Sequence, residues 1–175
     1  MVSPVQPPQL EEKRFSSGTV SINYAEGPSH GEPLVLLHGL GRNWQDFLAL
    51  IPALSVKWHI YAVDLRGHGK SERVSKSYTS SGYAADTFHL LTNVVCRPAV
   101  LFGHSLGGVV GMRIAAEHGD AVSALVVGDS VLSRETLLHS LYGRYLRGCT
   151  RSRCKEDRSR KWHPASGASK SQSPT

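Results

Sequence analysis

The chain lacks three features that would place it in special classes of protein. No apolar run approaches the roughly 20 residues that a helix needs to cross a bilayer. Residues 1–14 contain three prolines and two glutamates and have no apolar stretch typical of a secretory signal peptide. Cys96, Cys149 and Cys154 are the only thiols in 175 residues and do not make a disulfide framework. These absences predict a cytoplasmic protein with reduced cysteines.

The main part of the chain also lacks a net charge. The excess of +6 is confined to residues 147–175, which hold 8 Lys+Arg and 2 Asp+Glu, whereas residues 1–146 hold 12 of each kind. The charge therefore gives no reason to expect nucleic acid as a partner. Trp162 is the only large hydrophobe after Cys149, so we predict a flexible N-terminus at 1–13, a partial domain at 14–146 and a basic disordered tail at 147–175.

No metal site is expected in the tail. Cys149, Cys154 and His163 offer only three candidate ligands, at irregular spacing.

Strand and helix patterns alternate along residues 14–146. Alternation around Gly18 predicts a hairpin at 14–25, and short apolar runs predict buried strands at 33–39, 59–64, 99–102 and 121–127. Helical spacing of apolar residues predicts helices at 43–54, 79–93, 109–118 and 133–146, the first with Asn43 as its N-cap. This order predicts an α/β protein with a mostly parallel sheet and flanking helices.

The clearest chemical signal is the sequence Gly103-His-Ser-Leu-Gly107, a G-x-S-x-G between a predicted strand and a predicted helix. A strand that turns at once into a helix holds Ser105 in a strained conformation and exposes its Oγ. Glycines on either side let the backbones pass closely, and the helix N-terminus favours developing negative charge.

Three stretches together resemble the α/β-hydrolase superfamily, in particular its cofactor-free serine hydrolases. They are His38-Gly-Leu-Gly41, Asp64-Leu-Arg-Gly-His-Gly-Lys-Ser71 and Gly103-His-Ser-Leu-Gly-Gly108, and the likeness covers roughly residues 14–130. The resemblance implies that Ser105 is the nucleophile and that no cofactor is needed. An aspartate in place of Ser105 would instead have implied a dehalogenase or an epoxide hydrolase.

The resemblance also assigns roles around Ser105. The backbone N–H groups of Leu40 and Leu106 would form the oxyanion hole, where the charge of the tetrahedral intermediate develops. Glycines would shape the oxyanion loop and the turn at the serine: Gly39, Gly41, Gly103 and Gly107.

Three histidines near these motifs are interpreted as structural rather than catalytic. His38 would shape the oxyanion loop, and His104 would point away from the substrate. His68 lies in a loop that Asp64 and Arg66 tie to the preceding strand in relatives.

No complete catalytic triad is visible. The family order is serine, acid, histidine, but only 70 residues follow Ser105 and none after Val127 is typical of a strand. Asp129 is a candidate acid, while His139 and His163 match no motif. We therefore expect a C-terminally truncated α/β-hydrolase that lacks the last strands and the catalytic histidine.

Two functions follow as expectations. The resemblance implies hydrolysis of a small ester, thioester or amide through an acyl-serine intermediate, impaired here by the missing histidine; an acyltransferase or a carbon–carbon hydrolase stays open. The alternative is a non-catalytic, truncated form that acts as a binding or regulatory protein.

Overall fold

Six strands form one sheet in the order β1-β2-β4-β3-β5-β6 in a computed structural model that describes residues 9–130. The strands are β1 (Glu11–Ser16), β2 (Ser21–Glu26), β3 (Glu32–Leu37), β4 (Trp58–Val63), β5 (Ala99–His104) and β6 (Val122–Gly128). β1 pairs with β2 and β2 with β4 in antiparallel fashion, whereas the pairs β3–β4, β3–β5 and β5–β6 are parallel. The predicted α/β class and mostly parallel sheet are confirmed.

Several predictions concern residues outside this range. The helix at 133–146, the tail at 147–175, and the residues His139 and His163 all lie outside the described residues. Within residues 9–130, no helix has the length and apolar character to cross a membrane.

The hairpin begins earlier than predicted. β1 starts at Glu11, so residues 11–13 belong to the sheet rather than to a flexible N-terminus. Lys13 pairs across the hairpin with Glu26 at 2.9 Å, and Phe15 packs edge-on against Tyr24. Both contacts join residues on neighbouring strands, whereas the prediction of a flexible N-terminus was based on the local composition alone.

The single helix predicted at 43–54 is wrong. Trp44–Phe47 forms a 3₁₀ turn and α1 (Ile51–Leu54) is a separate short helix. Pro52 at the start of α1 has no N–H to donate, and its ring would clash with the carbonyl four residues earlier in a continuous helix. The predicted N-cap is confirmed, since the Asn43 side chain accepts from the Gln45 N–H at 3.0 Å.

The two longer helices agree with the expected ones. α2 (Ser80–Leu90) is capped by Thr79 and continues as a π turn over Leu91–Val95. α3 (Leu106–Glu117) begins three residues before the predicted 109, directly after Ser105.

Apolar residues cover both faces of the central strands, as continuous apolar runs predict. On β3, Val35 and Leu37 join one core cluster, and Leu34 and Leu36 join the other. The first cluster lies under α2 and α3, and the second contains Trp44, Phe47 and Ile51.

The two outer strands of the described sheet differ in chemistry. Residues 11–14 of β1 are all charged, which is a common protection of a sheet edge. β6 has no charged residue, and Val126 is 49% exposed. Within residues 9–130, β6 is therefore an apolar edge.

One buried ion pair connects the loop after β4 with α2. Arg66 Nε and Nη2 donate to the two carboxylate oxygens of Asp86 at 2.6 and 2.8 Å, and both side chains are almost fully buried. The Ser17 hydroxyl, in the β1–β2 turn, donates to the same carboxylate at 2.6 Å. Three segments of the chain thus meet at one carboxylate.

We expect Arg66→Ala to lower the free energy of unfolding by about 3–5 kcal/mol, because it leaves the Asp86 carboxylate buried without its counter-charge. The matched control is Arg42→Ala, since Arg42 is exposed and pairs with Asp46 four residues further along the chain. That variant should lose no more than about 1 kcal/mol, the range of exposed ion pairs. Urea unfolding of the full chain measures both, and equal losses would contradict the assignment.

Candidate active site

Ser105 alone makes the turn from β5 into α3. Its backbone has φ 50° and ψ −111°, a left-handed φ that non-glycine residues rarely adopt. The Ser105 N–H donates to the Gly128 carbonyl at 2.9 Å. The Ser105 carbonyl accepts from the Gly108 N–H at 3.0 Å and from the Ser130 hydroxyl at 2.9 Å. These bonds hold a conformation that would otherwise cost about 1–3 kcal/mol.

Two glycines let the turn close. A Cβ on Gly103 would overlap the backbone of Gly107, and a Cβ on Gly107 would overlap the Leu37 carbonyl. The Gly107 N–H also donates to the His38 carbonyl at 3.1 Å. The start of α3 is therefore pressed against the end of β3.

The loop after β3 lies beside Ser105. A Cβ on Gly39 would come within 3.4 Å of the Ser105 Cβ, and Gly41 has φ 73°. Within residues 9–130, neither the Leu40 N–H nor the Leu106 N–H donates a hydrogen bond. The Leu106 N–H is one of the first N–H groups of α3, which have no partner inside the helix. Two donors are thus available near the serine.

His38 is fully buried and uses both ring nitrogens for structure. The Leu65 N–H donates to Nε2 at 3.1 Å, so Nε2 is unprotonated and Nδ1–H donates to the Gly39 carbonyl at 2.7 Å. Burial lowers the pKa of His38 below 6.5, against the opposing effect of the bond to Gly39. This geometry supports the structural interpretation of His38.

The other two histidines also make structural contacts. The His68 ring bonds through Nδ1 to the Arg66 carbonyl at 2.9 Å and lies 5.1 Å from the His38 ring. The His104 ring packs against Gly39, with Nδ1 at 3.1 Å from the place of a Cβ there. Among the histidines in residues 9–130, none forms a hydrogen bond with the Ser105 hydroxyl.

Asp129 follows β6 at the same edge of the sheet. It is exposed and has φ 43°, and both of its neighbours, Gly128 and Ser130, bond to the backbone of Ser105. Its carboxylate makes no hydrogen bond within the described residues. Sequence reasoning missed Ser130, whose only signal was its place directly after the candidate acid.

Asp64 joins more segments than its motif indicated. Its carboxylate accepts from the Trp44 N–H at 2.8 Å, the Lys70 N–H at 2.9 Å and the Asn23 side-chain amide at 2.9 Å. The predicted link between strand and loop is present through Lys70. The contacts to Asn23 and Trp44 come from distant parts of the sequence and were not anticipated.

Two observations on the described residues concern where a metal ion or a small ligand could bind. No group of three or more metal-ligating side chains occurs between residues 9 and 130. One cavity of about 370 Å³ lies over the Arg66–Asp86 pair, and neither Ser105 nor the loop at Leu40 lines it.

The description "Alpha/beta hydrolase family" belongs to the family model that matches residues 34–171, and the chain is a member of this family. The chain is 33% identical over 117 residues to the 2-(acetamidomethylene)succinate hydrolase of Mesorhizobium japonicum, covering 67% of this chain and 42% of that protein. It is 34% identical over 101 residues to a soluble epoxide hydrolase of a Corynebacterium species, covering 58% of this chain and 35% of that protein. The chain thus spans about a third to two fifths of these relatives.

Solved structures agree with the fold. A crystal structure of E-2-(acetamidomethylene)succinate hydrolase matches with a TM-score of 0.68 and 30% identity over 80% of this chain and 52% of that one. An epoxide hydrolase structure matches with a TM-score of 0.67 and 27% identity, covering 74% and 49% of the two chains. The predicted α/β-hydrolase fold is confirmed.

We expect Gly107→Ala to destabilise the chain by several kcal/mol, because the added Cβ meets the Leu37 carbonyl, a backbone atom that cannot rotate away. Gly119→Ala is the matched control, since nothing lies within 4 Å of a Cβ there. Thermal unfolding followed by circular dichroism compares the two. A Gly107→Ala protein as stable as the control would contradict the close approach of α3 to β3.

We expect the chain to lose stability as the pH falls below about 6.5, because the unfolded chain protonates His38 more readily than the folded chain. Above that pH the contribution is complete. Asp64 and Asp46 act against the lowered pKa and His68 acts with it. The difference in unfolding free energy between wild type and His38→Asn should change by up to about 1.4 kcal/mol per pH unit. A difference that stays constant from pH 8 to pH 5 would contradict a buried neutral ring.

Proposed function

We propose that the chain is a serine hydrolase of this family, with Ser105 as the nucleophile. The observation that carries the proposal is the strained turn at Ser105, flanked by two N–H donors, Leu40 and Leu106, that have no acceptor within residues 9–130. A serine held between strand and helix in this way presents its Oγ at the carboxyl edge of the sheet, where substrates reach it.

The proposed reaction passes through an acyl-serine. Ser105 Oγ attacks the carbonyl carbon of a small ester, thioester or amide while its proton goes to a base. The carbonyl oxygen becomes an oxyanion that accepts from the Leu40 and Leu106 N–H groups. Collapse of this intermediate breaks the bond to the alcohol, thiol or amine, and water then hydrolyses the acyl-Ser105 bond.

The proposed reaction depends on a general base for Ser105. A serine hydroxyl is a poor nucleophile until a histidine takes its proton, and no histidine within residues 9–130 bonds to Ser105. We propose that Asp129 is the acid that would orient such a histidine. Without that base, the reaction of this chain would retain only about 10³–10⁴-fold acceleration over water.

The proposed substrate class follows from the residue at the turn. Relatives include a 2-(acetamidomethylene)succinate hydrolase, an epoxide hydrolase and a haloalkane dehalogenase. Serine rather than aspartate at position 105 favours acyl substrates over epoxides and alkyl halides.

The exposed free thiol of Cys96 suits a reducing compartment, so we propose that this activity occurs in the cytoplasm.

A second function is favoured by the Ser105 hydroxyl, which makes no hydrogen bond within residues 9–130. If no base reaches Ser105, the chain would serve as a non-catalytic binding or regulatory protein that keeps the fold of a hydrolase. The two functions differ in whether Ser105 reacts covalently with an electrophile.

We expect a fluorophosphonate probe to label the folded chain slowly and once, on the peptide that contains Ser105, as measured by intact-mass and peptide mass spectrometry. Ser105→Ala should remain unlabelled. Ser123→Ala, which removes an exposed serine of β6, should label like wild type. A folded wild-type chain that labels no faster than Ser105→Ala would favour the non-catalytic function.

The same probe tests the missing base. His139→Ala and His163→Ala should label at the slow rate of wild type if neither histidine activates Ser105. A loss of labelling in one variant would identify the base and would overturn the impaired activity.

A further inference from the structure

We propose that the cavity over the Arg66–Asp86 pair is a binding site for a small organic phosphate. The cavity has a volume of about 370 Å³ and lies between the β1–β2 turn, the loop at 74–77 and α2. Neither Ser105 nor the loop at Leu40 lines it, so this site is separate from the nucleophile and does not depend on the proposed hydrolase activity.

One side of the cavity is formed by the buried guanidinium group of Arg66. Besides its two bonds to Asp86, the group donates through Nη2 to the Thr19 hydroxyl at 3.4 Å and through Nη1 to the Ser77 carbonyl at 3.2 Å. Thr19 belongs to the β1–β2 turn and Ser77 to the loop before α2. Both walls are therefore bonded to the same buried group, which holds the cavity open before a ligand binds.

The residues that line the cavity carry a net positive charge. Asp86 is the only carboxylate among them, and its two oxygens already accept from Arg66 and from the Ser17 hydroxyl. Arg66 balances the charge of Asp86, whereas the Lys76 ammonium group forms no ion pair within residues 9–130. An anion in the cavity would therefore meet an unpaired cation and a carboxylate that is already neutralised.

Hydrogen-bond donors without a partner face the same space. The hydroxyls of Ser75 and Ser77 and the ring of His89 make no hydrogen bond among the described residues, and neither does Lys76 Nζ. Arg66 also retains one Nη1–H, since its listed bonds use only one of the two. A phosphate group presents three strong acceptor oxygens, and its bonds to charged donors are about twice as strong as neutral ones. This donor set suits a phosphate group better than a cation, which needs acceptors.

The apolar part of the lining indicates that the phosphate carries an organic group. Val20, Val74 and Ala85 complete the walls. The volume lies in the range of about 300–1,000 Å³ that is typical of small-molecule sites, so a lone phosphate ion would leave much of the cavity to water. An organic group against these side chains would remove apolar surface from water and add to the affinity.

Titration of the ¹⁵N-labelled full chain with phenyl phosphate tests this site. We expect saturable shifts of the backbone amide signals of Thr19, Lys76 and Ser77, with the signals around Ser105 unchanged. Phenol, which lacks the anionic group, should not shift these signals, and inorganic phosphate should bind more weakly than phenyl phosphate.

The basic residues 147–175 are the competing site for an anion on this chain. Shifts confined to those residues, or no saturable shift at the residues that line the cavity, would overturn the inference. Inorganic phosphate that binds as tightly as phenyl phosphate would overturn the assignment of an organic group.

Two substitutions separate the charge of the cavity from its space. Lys76→Gln removes the charge and keeps a long polar side chain, and it should weaken phenyl phosphate binding about tenfold, because a charge-assisted hydrogen bond is lost. Ala85→Leu leaves every charge in place and fills the cavity from an exposed position of α2, where leucine is a good helix former. It should weaken binding by about tenfold or more, because the ligand and the new side chain compete for one space.

The matched controls place the same changes outside the cavity. Lys57→Gln and Ala53→Leu alter exposed residues that do not line it, and both should bind phenyl phosphate like wild type. None of the four positions is buried, so thermal unfolding of each variant should resemble that of wild type. If Lys76→Gln and Ala85→Leu bind as tightly as their controls, phenyl phosphate does not occupy the cavity and the inference is wrong.

Discussion

The arrangement of the loops depends on one buried carboxylate, Asp64 at the end of β4. Its two oxygens accept three hydrogen bonds, from Asn23 on β2, from Trp44 in the loop after β3 and from Lys70 in the loop that follows. A carboxylate with no solvent exposure is costly unless donors surround it. Each hydrogen bond to a charged group contributes about 1.5–3 kcal/mol to stability. The carboxylate is therefore best stabilised when all three segments are in place. Gly69 is needed here, because a Cβ there would overlap the carboxylate.

A series of hydrogen bonds from neighbouring backbone connects the surroundings of Asp64 to Ser105. Leu65 sets the His38 tautomer, and the His38 carbonyl accepts from Gly107 at the start of α3. Ser105, with its strained φ, is held on one side by that contact at Gly107 and on the other by the bond from its own N–H to the Gly128 carbonyl of β6. Strain of this kind persists only where the surroundings over-determine the backbone. The carboxyl ends of β3, β4, β5 and β6 supply that over-determination jointly.

Much of this fold could be predicted from the sequence, because it depends on local patterns. The turn at Ser105 follows from two glycines at fixed spacing after a β-rich run, and the parallel sheet from alternating strand and helix patterns. The broken helix around Pro52 was missed because amphipathic spacing persists across a residue that cannot donate. The Asn23 and Trp44 partners of Asp64 and the tautomer of His38 could not be predicted, since they depend on residues that only the folded sheet brings together.

The turn at Ser105 and the loop at Gly39 are stabilised by hydrogen bonds within the described residues. Every hydrogen bond named around Ser105 and Gly39 comes from β3, the loops, α3 or the end of β6. None of these contacts involves the group that would accept the serine proton. The turn at Ser105 can therefore stay formed whether or not a histidine reaches it. In the proposed hydrolase, the structure of the turn and the catalytic rate would be separable properties, because hydrogen bonds inside the fold support the first and a proton acceptor would supply the second.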